Sequence, residues 1–316
     1  MSVEQIPITP SGRPTFGDRV YRGLCVSAAF VSLVVVGATI VFMIKESRPA
    51  FASSGIWSFF TDSVWNGFVG TFGVFGLLIG TIIIATVAMV IAVPLAVAMA
   101  LFINEYAPKA IARALTTAVD LLAALPSLMF GMWGRDAFAG QLQPVARWLS
   151  VHLVAIPVFR LTSNDALLVK SSFIAGTVVA IMIVPIITSI SRDVMARVPR
   201  EVCEAALGLG GTRWGMIRAV ILPFGRSGIA GAALLGFGRA LGETIAVALI
   251  IQLSFQANWH ILEAGAGSIA ALIVTRFGEA TPLERSGLVA AGLALLLLTF
   301  AVSLVARRIV NRSAVA

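Results

Sequence analysis

The chain has 316 residues and a formal net charge of +8; 59% of its residues are hydrophobic and only 12% charged. A soluble domain carries about 25% charged residues, so the composition excludes a soluble globular enzyme and a disordered chain. A mean hydropathy of +0.97 points to a bilayer, and basic residues spread thinly rather than along one stripe argue against nucleic-acid binding.

Crossing about 30 Å of hydrocarbon takes about 20 helical residues. Six apolar runs of that size follow one another, at 24–44, 71–103, 114–134, 171–191, 227–253 and 286–306. The first run is longer than the apolar part of a cleaved leader and follows a long mixed-charge segment. We therefore expect it to be retained, although Ala50-Phe51-Ala52 further on resembles a cleavage site. The second run is too long for one straight crossing; tilt, a bend at Pro94 or an interfacial first turn would absorb the excess. Its Gly70, Gly73, Gly76 and Gly80 allow close helix approach. Pro126 and Pro185 fall in the third and fourth runs, where proline is tolerated if neighbours or water satisfy the freed carbonyl. Between those runs, the mix of apolar and polar residues over 141–153, with Trp148, predicts a helix lying at the membrane interface.

Six spans put both termini on one side. With the N-terminus cytoplasmic, 14 of the 23 basic residues fall on the cytoplasmic side. The expected organisation is a cytoplasmic segment 1–23, a transmembrane domain 24–306 with a cytoplasmic loop at 192–226, and a cytoplasmic tail 307–316.

Much chemistry is absent. Lys45, Lys109 and Lys170 are the only lysines and none follows glycine, so there is no Walker A motif, and any ATP must be hydrolysed by another chain. No nucleophile elbow, zinc-protease motif or Cys-x-x-Cys occurs. Cys25, Cys203, His152 and His260 have no disulfide or metal-ligand spacing. We expect no catalytic residue, metal or cofactor.

Two segments carry information. Within 192–226, residues 201–207 favour a helix, Gly208, Gly210 and Gly211 break it, and 213–221 resume a helical pattern. A helix, a glycine turn and a second helix form a plausible docking knob for a soluble partner, or a simple connector. The second segment is Gly238-Arg239-Ala240-Leu241-Gly242-Glu243-Thr244, within the fifth run. An ionised group at the bilayer centre costs about 2.5–3.5 kcal/mol on insertion scales. Arg239 and Glu243, four residues apart, would share a helix face and pair. Such a pair either locks two helices or lines an aqueous path. Arginine suits oxyanions. Glutamate would neutralise it when the path is empty, and could accept a proton from hydrogen phosphate, a donor that sulfate lacks. Asp120, in the third run, is a further potential partner for Arg239.

Glu204-Ala205-Ala206, Gly210 and Leu222-Pro223 fall at the spacing of the EAA loop of bacterial ABC importer permeases, which the first segment resembles, with Val220 in place of the family's isoleucine. The resemblance implies that these residues dock on an ATPase subunit and transmit its motion. The second segment is similar to a stretch of the phosphate importer permeases. Pro126-Ser127 followed by Gly131-x-Trp133-Gly134 resembles their third-span signature. Taken together, the resemblance covers roughly residues 20–310 and points to the PstC type rather than the PstA type. What this implies is an all-α polytopic membrane bundle of six helices with the MetI-like permease fold, in a bacterial inner membrane among lipid, importing inorganic phosphate. The implied partners are a second permease of PstA type, an ATP-binding subunit dimer and an extracytoplasmic phosphate-binding protein. Arg239 and Glu243 are implied to be needed for transport. Other readings are a permease for another oxyanion, the PstA-type partner itself, an ion-coupled secondary transporter using Arg239, Glu243 and Asp120 as a relay, and a non-transporting sensor or scaffold.

Overall fold

The structure is a computed structural model and describes residues 16–162 and 168–315. The first fifteen residues of the expected segment 1–23, with Arg13, lie outside the described residues, as does Ala316 of the expected tail.

The chain divides into two units, residues 1–46 and 47–316. The first consists, where described, of one continuous helix. This helix, α1 (Phe16–Ser54), holds the first apolar run and continues into the second unit.

The second unit continues with a short helix, α2 (Ile56–Thr61), and a hairpin of β1 (Trp65–Asn66) and β2 (Thr71–Phe72), paired Trp65 to Phe72 and Asn66 to Thr71. The second apolar run therefore starts as strand and becomes helical only at α3 (Phe75–Leu101), which ends in a π-turn over Phe102–Tyr106. Gly70, at φ +77°, explains the hairpin: that backbone conformation is open to glycine and costly for a residue with a Cβ. Pro94 lies inside α3 without ending it.

The third run departs most from expectation. It is not one straight span. Helix α4 (Lys109–Ala124) ends before Leu125-Pro126, and the next helical stretch, Ser127–His152, leaves at 94°. Proline has no N–H to continue the helix and holds the preceding Leu125 extended, at φ −67° and ψ 137°. Beyond the bend lie α5 (Ser127–Trp133), a π-turn over Gly134–Phe138 and α6 (Ala139–His152). The last of these matches the helix expected over 141–153. Five other helices among the described residues are long and apolar enough to cross a membrane, and the bent pair makes six.

After α7 (Ser172–Met195) come α8 (Arg200–Gly208), α9 (Arg213–Met216), a π-turn over Ile217–Ile221 and α10 (Leu222–Leu241). The fifth run breaks at Gly242 and resumes as α11 (Ile245–Ile250). The chain closes with α12 (Ile269–Arg276) and α13 (Pro282–Val315).

The core forms where α3 meets α7. On α3, Ala88, Ala92, Ala96 and Ala100 recur every four residues and are fully buried. A Cβ on Gly176 of α7 would lie 3.0 Å from the Ile84 carbonyl, and the Thr188 hydroxyl donates to the Ala96 carbonyl at 3.4 Å. The two helices therefore run parallel, with backbones in close approach. Small residues achieve this because lipid supplies no hydrophobic drive between helices, so contact distance decides association. A second apolar cluster, with Phe59, Phe72, Leu77 and Leu288, lies at the hairpin end. A third, with Met195, Met216, Ile217 and Ile221, lies at the opposite end.

Candidate functional site

At the end remote from the hairpin, α8 and α9 form the expected helix, glycine turn and helix. Gly210 holds φ +84° with open space around it. Gly211 is small for a different reason, since a Cβ there would lie 2.6 Å from the Ala206 carbonyl oxygen. The Thr212 side chain then caps α9, accepting from the Gly215 amide at 3.1 Å. Glu204 and Ala205 are exposed, and Ala206 is half-buried against the third cluster. Leu222 and Pro223 follow directly on the π-turn, with Ile221 still helical at φ −68° and ψ −48°, so one helical run continues from Arg213 to Leu241 and the proline falls where the ladder has already changed register. Exposed Leu209 and Trp214 give the turn an apolar tip.

This helix pair is fastened to the end of α3. The Arg213 guanidinium donates to the Glu105 carbonyl and lies 5.9 Å from the centre of the Tyr106 ring. Beside it, Asn104 donates to the Arg192 carbonyl at 2.8 Å. Burial, then the Glu105 and Glu204 carboxylates, push the Cys203 thiol above its ordinary pKa. Sequence reading missed Asn104 and Arg213. Their only signal was a polar residue just past an apolar run and a basic residue just past a glycine turn.

Arg239 and Glu243 do not share a helix. Arg239 lies in the last turn of α10, and Glu243 lies in the break before α11. No ion pair joins them among the described residues, which corrects the pairing expected from their spacing. Glu243, 7% exposed, instead accepts from the Ala246 amide at 3.2 Å and so caps α11. Thr244 closes the break by donating to the Gly242 carbonyl at 2.9 Å. Arg239 is exposed on the α10 face that also carries Leu235, while Gly236 and Ala240 are buried. Asp120 is exposed on α4 and pairs with neither residue.

Contacts along α7 fix the depth of the break. Gly228 packs on Val194 and Gly236 on Ile187, while Ile250 and Val178 both pack on Gly134. Glu243 therefore lies between the levels of Ile187 and Val178, within the 24-residue length of α7. Beside it runs the other interrupted span. A Cβ on Gly131 of α5 would lie 2.8 Å from the Ala246 Cα, so the half-helices after both breaks touch backbone to backbone. An intramembrane carboxylate at a helix break is chemically suited to a water-filled path, because non-helical backbone at that depth needs water or protein.

Residues 92–315 match the family described as the inner membrane component of binding-protein-dependent transport systems. The chain is 38% identical over 301 residues to the phosphate transport system permease protein PstC 2 of Mycobacterium bovis, covering 93% of this chain and 91% of that protein. It is also 38% identical over 309 residues to the PstC of Xylella fastidiosa, covering 96% and 94%. Among solved structures, a subunit of a bacterial alginate ABC transporter in complex with an alginate-bound periplasmic protein superposes with a TM-score of 0.62 at 16% identity, over 95% of this chain and 98% of that one. The chain belongs to the binding-protein-dependent transport permease family, and is a multi-pass membrane subunit with the all-helical ABC permease fold.

Proposed function

We propose that the chain is the permease subunit, of PstC type, of an ATP-driven importer of inorganic phosphate. The observation that carries this reading is the break at Gly242, which holds the buried Glu243 carboxylate, with Arg239 one turn away, inside an otherwise apolar span. The names and 38% identity of the phosphate permeases support the substrate. In this reading Arg239 binds the oxyanion through its planar fork. Glu243 balances the arginine charge between passages and accepts a hydrogen bond from the hydroxyl that hydrogen phosphate retains. Asp120 is a further polar group along the same route.

The helix pair α8–α9, with Glu204, Ala205, Ala206, Gly210, Leu222 and Pro223, docks on the ATPase dimer. Its contacts with Glu105 and Tyr106 carry motion into α3. Both termini and the 192–226 loop are cytoplasmic, in keeping with the bias of basic residues. A PstA-type permease and an extracytoplasmic phosphate-binding protein complete the complex.

The test is phosphate uptake by membrane vesicles holding the whole complex, with ATP alone or with a proton gradient alone. Uptake with ATP alone is expected. Uptake that ran on the gradient and ignored ATP would overturn the reading.

A further inference from the structure

At the hairpin end of the bundle, a cleft of about 430 Å³ is lined by Arg135, Asp136, Gly140, Lys170, the last residue of α11, Ile250, and Ile251 just beyond it. It lies beside the start of α7, and the α8–α9 pair packs by the other end of that helix, about 36 Å away at 1.5 Å per residue. α11 itself joins the cleft to the break, so Glu243 lies about 10 Å further in along that helix.

Two basic side chains and one carboxylate line this cleft. Arg135 gives Nε and Nη2 to Asp136, at 2.6 and 3.1 Å, which leaves its other terminal nitrogen available to a ligand. Both members of this pair are at least half exposed. Exposed pairs of this kind are screened by solvent and contribute little to stability, so a ligand oxyanion can replace the Asp136 carboxylate at little cost. Lys170 adds a point charge, and the apolar walls at Ile250 and Ile251 limit screening. Phosphate presents several acceptor oxygens and suits a guanidinium fork with an ammonium beside it.

We propose that Arg135 and Lys170 form a capture site for a phosphate-class oxyanion, at the mouth of the route that leads to Glu243. The proposal rests on the transport reading above and adds a first binding step to it. Asp136 is the placeholder that the ligand displaces.

The test uses the purified whole complex. Acylation of Lys170 by an amine-reactive reagent is followed by peptide mass spectrometry, in inorganic phosphate and in chloride of equal ionic strength. Phosphate is expected to slow Lys170 labelling about tenfold relative to chloride, as local anion capture predicts. Arg135→Gln should abolish that protection, and Asp136→Asn should bring it to lower phosphate concentration. Arg135→Gln should also raise the KM for phosphate uptake about tenfold. Equal labelling in phosphate and chloride, or protection that survives Arg135→Gln, would overturn the capture site. Protection in a wild-type complex that takes up no phosphate would instead overturn the transport reading and leave the anion site supported.

Discussion

The Arg213 guanidinium donates to the Glu105 backbone carbonyl at 3.2 Å. This bond ties the second helix of the α8–α9 pair to the end of α3, whose alanine face forms the core with α7. A push on the helix pair therefore has a direct route into the longest buried contact of the bundle. Arg213→Ala should leave the fold intact, because the bond is exposed and worth about 1 kcal/mol. ATP hydrolysis should persist while phosphate carried per ATP falls several-fold. Arg213→Lys should rescue only in part, since a lysine has no planar fork to stack on Tyr106. Measuring uptake and hydrolysis together checks this; an unchanged ratio in Arg213→Ala would remove the mechanical role.

The neighbouring glycines of the turn should fail for different reasons. Gly210→Ala meets no atom and bears only the left-handed backbone cost of about 1–2 kcal/mol. Gly210→Asn should be milder, because asparagine tolerates that conformation. Gly211→Ala drives a methyl into the Ala206 carbonyl and must reshape α8. Co-purification of the ATPase should be best kept by Gly210→Asn, weaker with Gly210→Ala and weakest with Gly211→Ala.

Glu243 separates capping from charge. Glu243→Gln keeps an oxygen for the Ala246 amide, so thermal stability in detergent should match the wild type while phosphate uptake is lost. Glu243→Ala loses the cap as well, at a further cost of about 1 kcal/mol. Wild-type uptake by Glu243→Gln would show that the charge has no part in transport.

Backbone contact between the start of α3 and the loop before α12 leaves no room for a methyl. A Cβ on Gly80 would lie 2.0 Å from the Gly267 carbonyl oxygen, so Gly80→Ala should destabilise by about 1–3 kcal/mol. Gly231, in the middle of α10 with nothing within 4 Å, gives the control. Gly231→Ala should be neutral or stabilising by up to about 1 kcal/mol through helix propensity. Melting temperatures of the two variants in one detergent decide the matter.

Cys203 reports on Glu204. Burial and the nearby Glu105 and Glu204 carboxylates hold its pKa above the ordinary thiol value, so little thiolate is present near pH 8. Maleimide should react slowly there and faster as pH rises. Glu204→Gln removes one upward push, lowers the pKa and should speed the reaction at fixed pH. Equal rates in both proteins would deny the contact.

Apolar runs were readable because the need to cross hydrocarbon writes itself into local composition. The α8–α9 turn was readable for a similar reason: Gly210, Gly211 and Thr212 encode a stop and a cap within three residues. The state of Arg239 and Glu243 was not. A spacing of four implies a shared face only if the helix is continuous, and Glu243 instead turns to cap α11. Pro126 lay in view, but proline alone does not distinguish a slight kink from a 94° turn; that depends on the glycine faces of α5 finding α11. Arg135 and Lys170 are far apart in the chain, and only the packing of α6 against residues 168–170 brings them to one cleft.

The two breaks also divide the perimeter of the protein. Leu125, Pro126 and Gly242 are exposed; Pro126 has no N–H to offer the last turn of α4, and at Gly242 the helix runs out with its amide on the Gly238 carbonyl and its own carbonyl accepting from Thr244. Acyl chains offer no hydrogen bonds, so they cannot solvate these positions. The arcs around both interruptions are therefore better matched to water or to another subunit than to the lipid annulus. A copy inserted alone would turn both interruptions toward acyl chains, the least suitable solvent for non-helical backbone.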